Sequence, residues 1–436
     1  MIDPMTATAR GIAAAVNAKE LHPWEVIEAY LERIAALEPE LKAFSWFDPQ
    51  TARAAAEAPM AGPLAGVPFG IKDVFDTTSM PTSYGSDVYT GFRPARDASA
   101  VHLASRAGGV AFGKTVSTEF ATAAPGLTCN PFDSARTPGG SSSGSAAGLG
   151  AAFFPLAFGT QTSGSTLRPA SYCGVVGYKA SRGLIDRTGV KPLSESLDIV
   201  GLMARDVRDC ALFASVVARR ADLMPDGETR SVPRVGLFAH DLAEAPSAAS
   251  IDVLEKVAGI VGSVQTVGAP PWWEGLGAAQ ADVFAWEASA ALRPERDLHW
   301  DLLKPATHEF LSRQDGISFE RWQAGIAARD AALADLDRLF GDCDLLITQA
   351  APGEAPIGLG STGKAAYNIR WTLLGTPSIS IPAGFGPDGL PIGVQLVARP
   401  GEDAKLLISA AAVEDVLRKA GVPARPDVTD MPDVVQ

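Results

Sequence analysis

One lysine stands out as a candidate general base. Lys72 follows a short apolar run, Val67 to Ile71, which predicts a buried strand. A lysine at the end of such a strand is removed from water, which lowers its pKa and leaves part of the amine neutral near pH 7. A neutral amine can accept a proton from a serine hydroxyl. The alternative is a structural lysine that pairs with Asp73 or Asp76.

Other catalytic systems lack their defining residues. The chain has five histidines, none of them in a distinctive catalytic pattern: His22, His102, His240, His299 and His308. The serines of residues 143–148 do not form the G-x-S-x-G elbow of an α/β-hydrolase. There is no HExxH zinc motif and no GxxxxGK[ST] phosphate loop. We therefore expect a serine–lysine enzyme that uses no metal and no cofactor.

Two serine-containing loops complete the pattern. They read TPGGSSSGSAAG over residues 137–148 and TQTSGSTLRPASYCG over residues 160–174. With GIKD at 70–73 and GLPIGVQLVA at 389–398, they resemble the amidase signature family. The resemblance implies a Ser-cisSer-Lys triad, with Ser165 as nucleophile, Ser141 as bridging serine and Lys72 as base. It also implies a cis peptide bond between Gly140 and Ser141.

These assignments define a route for amide cleavage. Ser165 would attack the carbonyl carbon, giving a tetrahedral oxyanion and then an acyl-enzyme. Ser141 would relay the proton from Ser165 to Lys72 and then deliver it to the leaving amine. Backbone N–H groups of four successive residues are expected to form the oxyanion hole: Thr162, Ser163, Gly164 and Ser165.

The second loop departs from the common family pattern D-x-G-G-S-I-R. Gln161 replaces the Asp and cannot carry charge, whereas Ser163 replaces the first Gly and keeps its backbone N–H. Arginine stands three residues after the nucleophile rather than two, as Arg168. This shifted pattern resembles the malonamidase branch of the family. Two roles are open for Arg168: it binds a substrate carboxylate in a charge-assisted pair, or it fixes the loop.

Further polar residues near the motifs are weaker candidates. Ser142 and Thr160 are expected near the catalytic network, while Ser143 and Ser145 are expected to fill the loop and cap the following helix. The segment 367–371 resembles a site-edge cluster, although aromatic residues at helical spacing more often pack in a core.

Short apolar strands alternate with amphipathic helices along the chain. Helices are predicted over 23–37, 98–107, 205–220, 248–262, 276–292, 318–340 and 402–420, and strands over 67–71, 110–115, 153–160, 344–348, 378–382 and 393–398. This alternation predicts an α/β fold: a single large domain, residues 1–436, with a central mixed β-sheet covered by helices. The family resemblance places the signature core at about 65–210. Residues 223–233 are the best candidate for a break, and the tail from Pro423 is expected to pack loosely.

Composition restricts the partners and the compartment. The 436 residues include 37 basic and 50 acidic side chains, a net charge of −13, which argues against nucleic acid and anionic membranes. No run approaches ~18 apolar residues, so no transmembrane helix is expected. The chain starts without a secretory signal, and its four cysteines show no pairing or metal-ligand spacing, so we expect a cytoplasmic protein. Apolar N-terminal helices are compatible with a homodimer.

The sequence thus predicts an amidase that hydrolyses the C–N bond of a carboxylic amide to carboxylate and ammonia. The expected substrate is a small-molecule amide, with a carboxylate-bearing one as an option. The A subunit of a tRNA-dependent amidotransferase shares the signature and is the first alternative; it would pass ammonia to a partner chain. An inactive binding scaffold is the second alternative, which the joint presence of Lys72, Ser141 and Ser165 disfavours.

Overall fold

One eleven-stranded sheet forms the centre of the protein. A computed structural model describes residues 2–57, 60–225, 233–239, 245–262 and 264–422. The strands are β1 (Phe44–Trp46), β2 (Pro68–Lys72), β3 (Val110–Thr115), β4 (Leu156–Gln161), β5 (Val176–Lys179), β6 (Ile199–Ala204), β7 (Val235–Ala239), β8 (Val264–Gly268), β9 (Leu345–Gln349), β10 (Ser378–Phe385) and β11 (Pro391–Val397). Their spatial order is β1-β3-β2-β4-β6-β5-β10-β11-β9-β7-β8.

Helices flank this sheet. They are α1 (Ala9–Asn17), α2 (Pro23–Leu41), α3 (Pro49–Ala56), α4 (Ser99–Arg106), α5 (Ser143–Gly150), α6 (Leu167–Tyr172), α7 (Val207–Ala218), α8 (Ala248–Val261), α9 (Leu276–Ala291), α10 (Arg293–Leu298), α11 (Pro305–Gln314), α12 (Phe319–Ala334), α13 (Leu336–Phe340), α14 (Ile369–Leu373) and α15 (Asp403–Lys419). Within the described residues, no helix has the length and apolar character needed to cross a bilayer.

The sheet is mixed, as the sequence predicts. β2 runs parallel to both β3 and β4, whereas the pairs from β4 through β6, β5, β10 and β11 to β9 are antiparallel. At the far edge, β7 is parallel to β9 and β8. A single α/β domain with a large mixed sheet between helices is therefore confirmed.

Close packing around β2 explains the small residues of the serine loops. Every residue of β2 is buried, as expected for a central strand with both faces covered. A Cβ on Gly70 would lie 2.6 Å from the Phe154 ring, and one on Gly144 would lie 2.0 Å from the Ala43 carbonyl oxygen. Because Gly144 has no side chain, α5 lies close to the backbone at Ala43, directly before β1. This close packing places the first serine loop next to the end of β2.

Several elements differ from the sequence prediction. Residues 160–174, expected as loop, contain α6, and the helix predicted over 318–340 is divided into α12 and α13. β1 and β5 to β8 had no counterpart in the prediction. α6 is buried on all sides, so it lacks the apolar periodicity that identifies a surface helix. Residues 226–232 of the predicted break, and the tail from Pro423, lie outside the described residues.

Candidate active site

The three residues proposed for catalysis lie near the carboxyl ends of two neighbouring strands of the sheet. Lys72 is the last residue of β2, and Ser165 follows the end of the neighbouring parallel strand β4. Ser141 lies two residues before α5. Because parallel strands end at the same edge, the fold brings these segments together at the carboxyl ends of β2 and β4.

Lys72 contacts two hydroxyl groups in a fully buried setting. Its Nζ lies 2.7 Å from Ser141 Oγ and 2.7 Å from Thr160 Oγ1. Asp73, one of the alternative partners, instead pairs with Lys114 Nζ at 3.0 Å. Asp76, the other, accepts the Tyr84 hydroxyl. The structure therefore favours the hydroxyl-linked lysine over the ion-paired one.

The pKa of the Lys72 amine is lowered to near neutrality. Burial lowers its pKa to about 7, while the negative charge of Asp198 acts in the opposite direction. About half of the amine is therefore neutral at pH 7. A neutral amine has one lone pair, which can accept the Ser141 proton, and two N–H groups, one of which can donate to Thr160.

The first serine loop is held by its own side chains. The peptide bond between Gly140 and Ser141 is cis, as the resemblance implies. Ser143 Oγ donates to the Gly139 carbonyl at 2.8 Å, and Ser145 Oγ donates to the Phe158 carbonyl at 2.8 Å. These two serines therefore bind backbone carbonyls around the loop, but neither caps α5 as predicted, because the N-cap is Ser142 and its side chain makes no capping hydrogen bond.

Ser142 joins the two serine loops. Its backbone N–H donates to the Ser165 carbonyl at 3.3 Å, and its Oγ accepts the Thr160 N–H at 3.3 Å. Ser142 and Thr160 thus lie in the network, as predicted, with Thr160 bound to Lys72 itself. Ser165 itself is largely buried, with 8% of its surface exposed.

Gln161 anchors the start of the second loop without charge. Its Oε1 accepts the backbone N–H groups of Thr166 at 3.0 Å and Leu167 at 3.1 Å. Its Nε2 donates to Thr372 Oγ1 at 3.0 Å. Both polar atoms of this fully buried amide are engaged, so the replacement of Asp by Gln leaves an ordered loop.

The backbone N–H groups of the proposed oxyanion hole have no hydrogen-bond acceptor in the part of the chain that the structure describes. No described residue accepts a hydrogen bond from the backbone N–H of Thr162, Ser163, Gly164 or Ser165. The loop is fixed through its other atoms: Thr372 Oγ1 donates to the Ser163 carbonyl at 2.7 Å, and Gln280 Nε2 donates to Ser163 Oγ at 3.1 Å. These N–H groups are therefore available for the oxyanion role predicted for them.

Arg168 lies against the loop that contains the cis bond. Its Nη2 donates to the Gly140 carbonyl at 2.5 Å and to Thr362 Oγ1 at 3.1 Å. The side chain is buried, and burial lowers the pKa of its guanidinium. Of the two roles considered, these contacts favour fixing the loop.

The segment 367–371 is mostly packing. Trp371 is fully buried, with its ring centroid 4.5 Å from that of Trp273. Asn368 Nδ2 donates to the Ala350 carbonyl at 3.1 Å, and its Oδ1 faces Gly164 closely enough that a Cβ there would lie 2.5 Å away. Asn368 is therefore the member of this segment that borders the oxyanion loop.

Sequence reasoning missed three residues that hold the second loop: Asp198, Gln280 and Thr372. Asp198 stands in the stretch SESLDIVG, directly before β6, and its position next to an apolar strand was the available signal. Gln280 comes from a distant helix that carries no motif, and Thr372 directly follows the segment 367–371, whose resemblance to a site-edge cluster was the available signal.

Comparison with known proteins gives a consistent family. The profile of the amidase family matches residues 25–257 and 279–407. The A subunit of glutamyl-tRNA(Gln) amidotransferase from Chloroflexus aggregans is 32% identical, with 90% of this chain and 93% of that protein covered. The protein of the same name from Thermus thermophilus is 32% identical, with 95% and 98% covered.

Solved structures agree in fold. A 6-aminohexanoate cyclic dimer hydrolase complexed with substrate superposes with a TM-score of 0.85 at 26% identity, covering 98% of this chain and all of that one. Peptide amidase from Stenotrophomonas maltophilia gives a TM-score of 0.80 at 27% identity, with 95% and 97% covered.

These comparisons correct one prediction and leave another without support. The expected partner, a small-molecule amide with no nucleic acid, is wrong on these findings, because the curated relatives are named as subunits of an enzyme of glutamyl-tRNA(Gln). Net charge describes the average field of one chain and does not report what a multisubunit enzyme binds. The malonamidase branch is not indicated by these relatives, although the family itself is.

Proposed function

Because the chain belongs to the amidase signature family, a family of amide C–N hydrolases, we propose that it releases ammonia from an amide through Ser165, Ser141 and Lys72. We further propose that it does so as the A subunit of a tRNA-dependent amidotransferase. The observation that carries the cleavage chemistry is the 2.7 Å contact between the buried Lys72 amine and Ser141 Oγ.

The proposed reaction begins with two linked proton transfers. Ser165 Oγ attacks the amide carbon while its proton passes to Ser141, whose own proton passes to the Lys72 lone pair. A C–O bond forms, and the carbonyl oxygen becomes an oxyanion that receives the N–H groups of residues 162–165. Hydrogen bonds of this kind strengthen as negative charge develops on the oxygen, so they favour the tetrahedral state over the bound amide.

Collapse of that intermediate breaks the C–N bond. The proton held on Lys72 returns through Ser141 to the departing nitrogen, which leaves as ammonia, and the acyl group stays on Ser165. Water then attacks the ester with the same relay, giving a carboxylate and restoring the serine.

The similarity to proteins of that name supports the amidotransferase assignment. The relatives of that name match over nearly their whole lengths, so the alignment leaves little of their chains uncovered. The net charge of −13 opposes direct binding of a polyanion, so we expect the tRNA to lie on a partner chain. Ammonia made at Ser165 would then be consumed at that partner.

A second candidate is an amide hydrolase that works without a partner chain. The observation in its favour is the loop at Gln161 and Ser163, which differs from the common family pattern at both positions. Both polar atoms of the neutral Gln161 side chain are hydrogen-bonded, so the site accommodates this residue in place of Asp. Among the solved structures with a similar fold is a peptide amidase, whose name indicates amide cleavage.

One experiment separates the two candidates. The chain is purified alone and together with the remaining subunits of a glutamyl-tRNA(Gln) amidotransferase, with Ser165→Ala as the matched control. Ammonia release from glutamine and conversion of glutamyl-tRNA(Gln) to glutaminyl-tRNA(Gln) are measured. We expect conversion only with the partner subunits and intact Ser165. Full amide hydrolysis by the chain alone, with no conversion in the mixture, would favour the second candidate.

A further inference from the structure

A buried carboxylate beside the active site takes no part in the steps above. Asp198 precedes β6, which pairs antiparallel with β4 in a register that sets Ile199 opposite Gln161. One residue further along, Asp198 therefore faces Thr162. Its Oδ1 accepts the Thr162 hydroxyl at 2.6 Å, and the residue is 8% exposed.

The other carboxylate oxygen holds a separate turn. Asp198 Oδ2 accepts the backbone N–H groups of Leu193 at 2.8 Å and Ser194 at 2.9 Å. Arg187 Nη1 lies 3.5 Å from the same oxygen. Burial raises the pKa of Asp198, and these hydrogen bonds and the Arg187 charge act in the opposite direction. The same contacts hold the carboxylate in place as an acceptor for Thr162.

Asp198 also lies close to the surroundings of the catalytic lysine. It lines a cavity of about 10 Å³ together with Thr162 and Thr160, and Thr160 is the second hydroxyl partner of Lys72. The carboxylate raises the pKa of Lys72 against the larger lowering effect of burial.

Other charges near these groups are already paired. Arg187 and Lys191 line the same cavity, and Lys191 Nζ pairs with Glu295 Oε1 at 2.5 Å. Asp73, directly after β2, pairs with Lys114 on the neighbouring strand β3 at 3.0 Å. Asp198 is the carboxylate that acts on Lys72.

We propose that Asp198 is a positioning residue for amide cleavage, which fixes the oxyanion loop through the Thr162 hydroxyl and places a negative charge on the cavity shared with Thr160. This inference rests on the proposed cleavage by Ser165. It adds one requirement, that the loop and the lysine depend on the same carboxylate.

Four variants test the proposal. Asp198→Asn removes the charge, Thr162→Val removes the hydroxyl but keeps the shape, and Thr162→Ser keeps the hydroxyl. Asp209→Asn is the matched control, because Asp209 is also a buried carboxylate, which binds the N-terminal helix at the Ala9 N–H. For each variant, kcat and KM for ammonia release from glutamine are measured between pH 5.5 and 9, with the melting temperature as a check of folding. The assay uses the assembly in which wild type is active.

Asp198→Asn is expected to lower kcat about tenfold with little change in KM, less than the roughly 10²–10³-fold loss on removing an oxyanion donor, because the Thr162 N–H is displaced and not removed. Removing the carboxylate also lowers the pKa of Lys72, because the charged ammonium loses a favourable interaction. The rate of this variant should therefore begin to rise at lower pH than that of wild type. Thr162→Val should lower kcat without moving the pH profile, Thr162→Ser should retain more of the rate than Thr162→Val, and Asp209→Asn should match wild type.

A folded Asp198→Asn variant with wild-type kcat, or with an unmoved pH profile, would overturn the proposal. If that variant does not fold, equal rates for Thr162→Val and Thr162→Ser would overturn it. Failure of the underlying function is distinguishable, because Ser165→Ala would then retain the activity of wild type.

Discussion

The rate of attack by Ser165 should follow the protonation of Lys72. Only the neutral amine can accept the Ser141 proton, so the rate should rise with pH through the lysine pKa and then level off. Because burial places that pKa at about 7, the neutral fraction is about a tenth at pH 6, half at pH 7 and nine-tenths at pH 8. The structure thus predicts a rise of about tenfold between pH 6 and pH 8.

Replacement of Lys72 by a residue that stays protonated should lower the rate of cleavage. An ordinary lysine, with a pKa near 10.5, would be neutral in only about one molecule in three thousand at pH 7. Arginine at position 72 stays protonated throughout this range, so Lys72→Arg should lower kcat by roughly 10²–10⁴, the usual contribution of a general base.

The assay is the rate at which a fluorophosphonate probe labels Ser165, followed from pH 5.5 to 9. Lys179 supplies the matched control. Burial also lowers its pKa to about 7, but its ammonium donates to the Thr376 carbonyl and has no contact with the serine network. Lys179→Met should therefore keep the wild-type pH profile. A wild-type profile that is flat over this range, or that rises only near pH 10, would refute the role of Lys72 as the titrating base.

Two further predictions concern the loops. Arg168→Leu should slow cleavage of carboxylate-bearing and uncharged primary amides by the same factor, because Arg168 holds the Gly140 carbonyl; unequal losses in kcat/KM would instead indicate a substrate carboxylate. Gly164→Ala should lower kcat about tenfold or more, since the new Cβ would lie 2.5 Å from Asn368 Oδ1 and displace the oxyanion loop. Gly259→Ala, on α8 with open space around it, is the control, and equal kcat for the two alanine variants would show that the loop tolerates the shift.

The catalytic residues could be predicted from the sequence where they lie within a short motif. The apolar run before Lys72 indicated a buried lysine, and its full burial beside Ser141 follows from a central strand covered on both faces. The cis bond at Gly140 and Ser141 came from the family resemblance. The first feature depends on local sequence alone, whereas the second could be predicted only because the loop resembles that of a known family.

The remaining parts of the site depend on contacts between distant segments. Thr372 and Gln280 reach the second loop from α14 and α9, more than 100 residues away, and the surroundings of Gln280 show no catalytic pattern. Asp198 faces Thr162 only because of the antiparallel register of β4 and β6. Neither strand order nor register can be read from the hydrophobic pattern of one strand.

The partner prediction failed for a related reason. Net charge is a sum over the whole chain, and it governs long-range attraction rather than assembly with other subunits. An acidic subunit can belong to an enzyme that acts on tRNA when another chain of that enzyme binds the nucleic acid. The alternative that named a partner chain was accordingly the better prediction.

The most direct test of the account is the site of covalent modification. Wild type and Ser165→Ala are treated with a fluorophosphonate probe, and the labelled position is identified by peptide mass mapping. The account predicts one adduct on Ser165, absent from the variant, together with loss of amide hydrolysis in Ser165→Ala. An adduct on another residue, or an unlabelled variant that still hydrolyses amides at the wild-type rate, would contradict it.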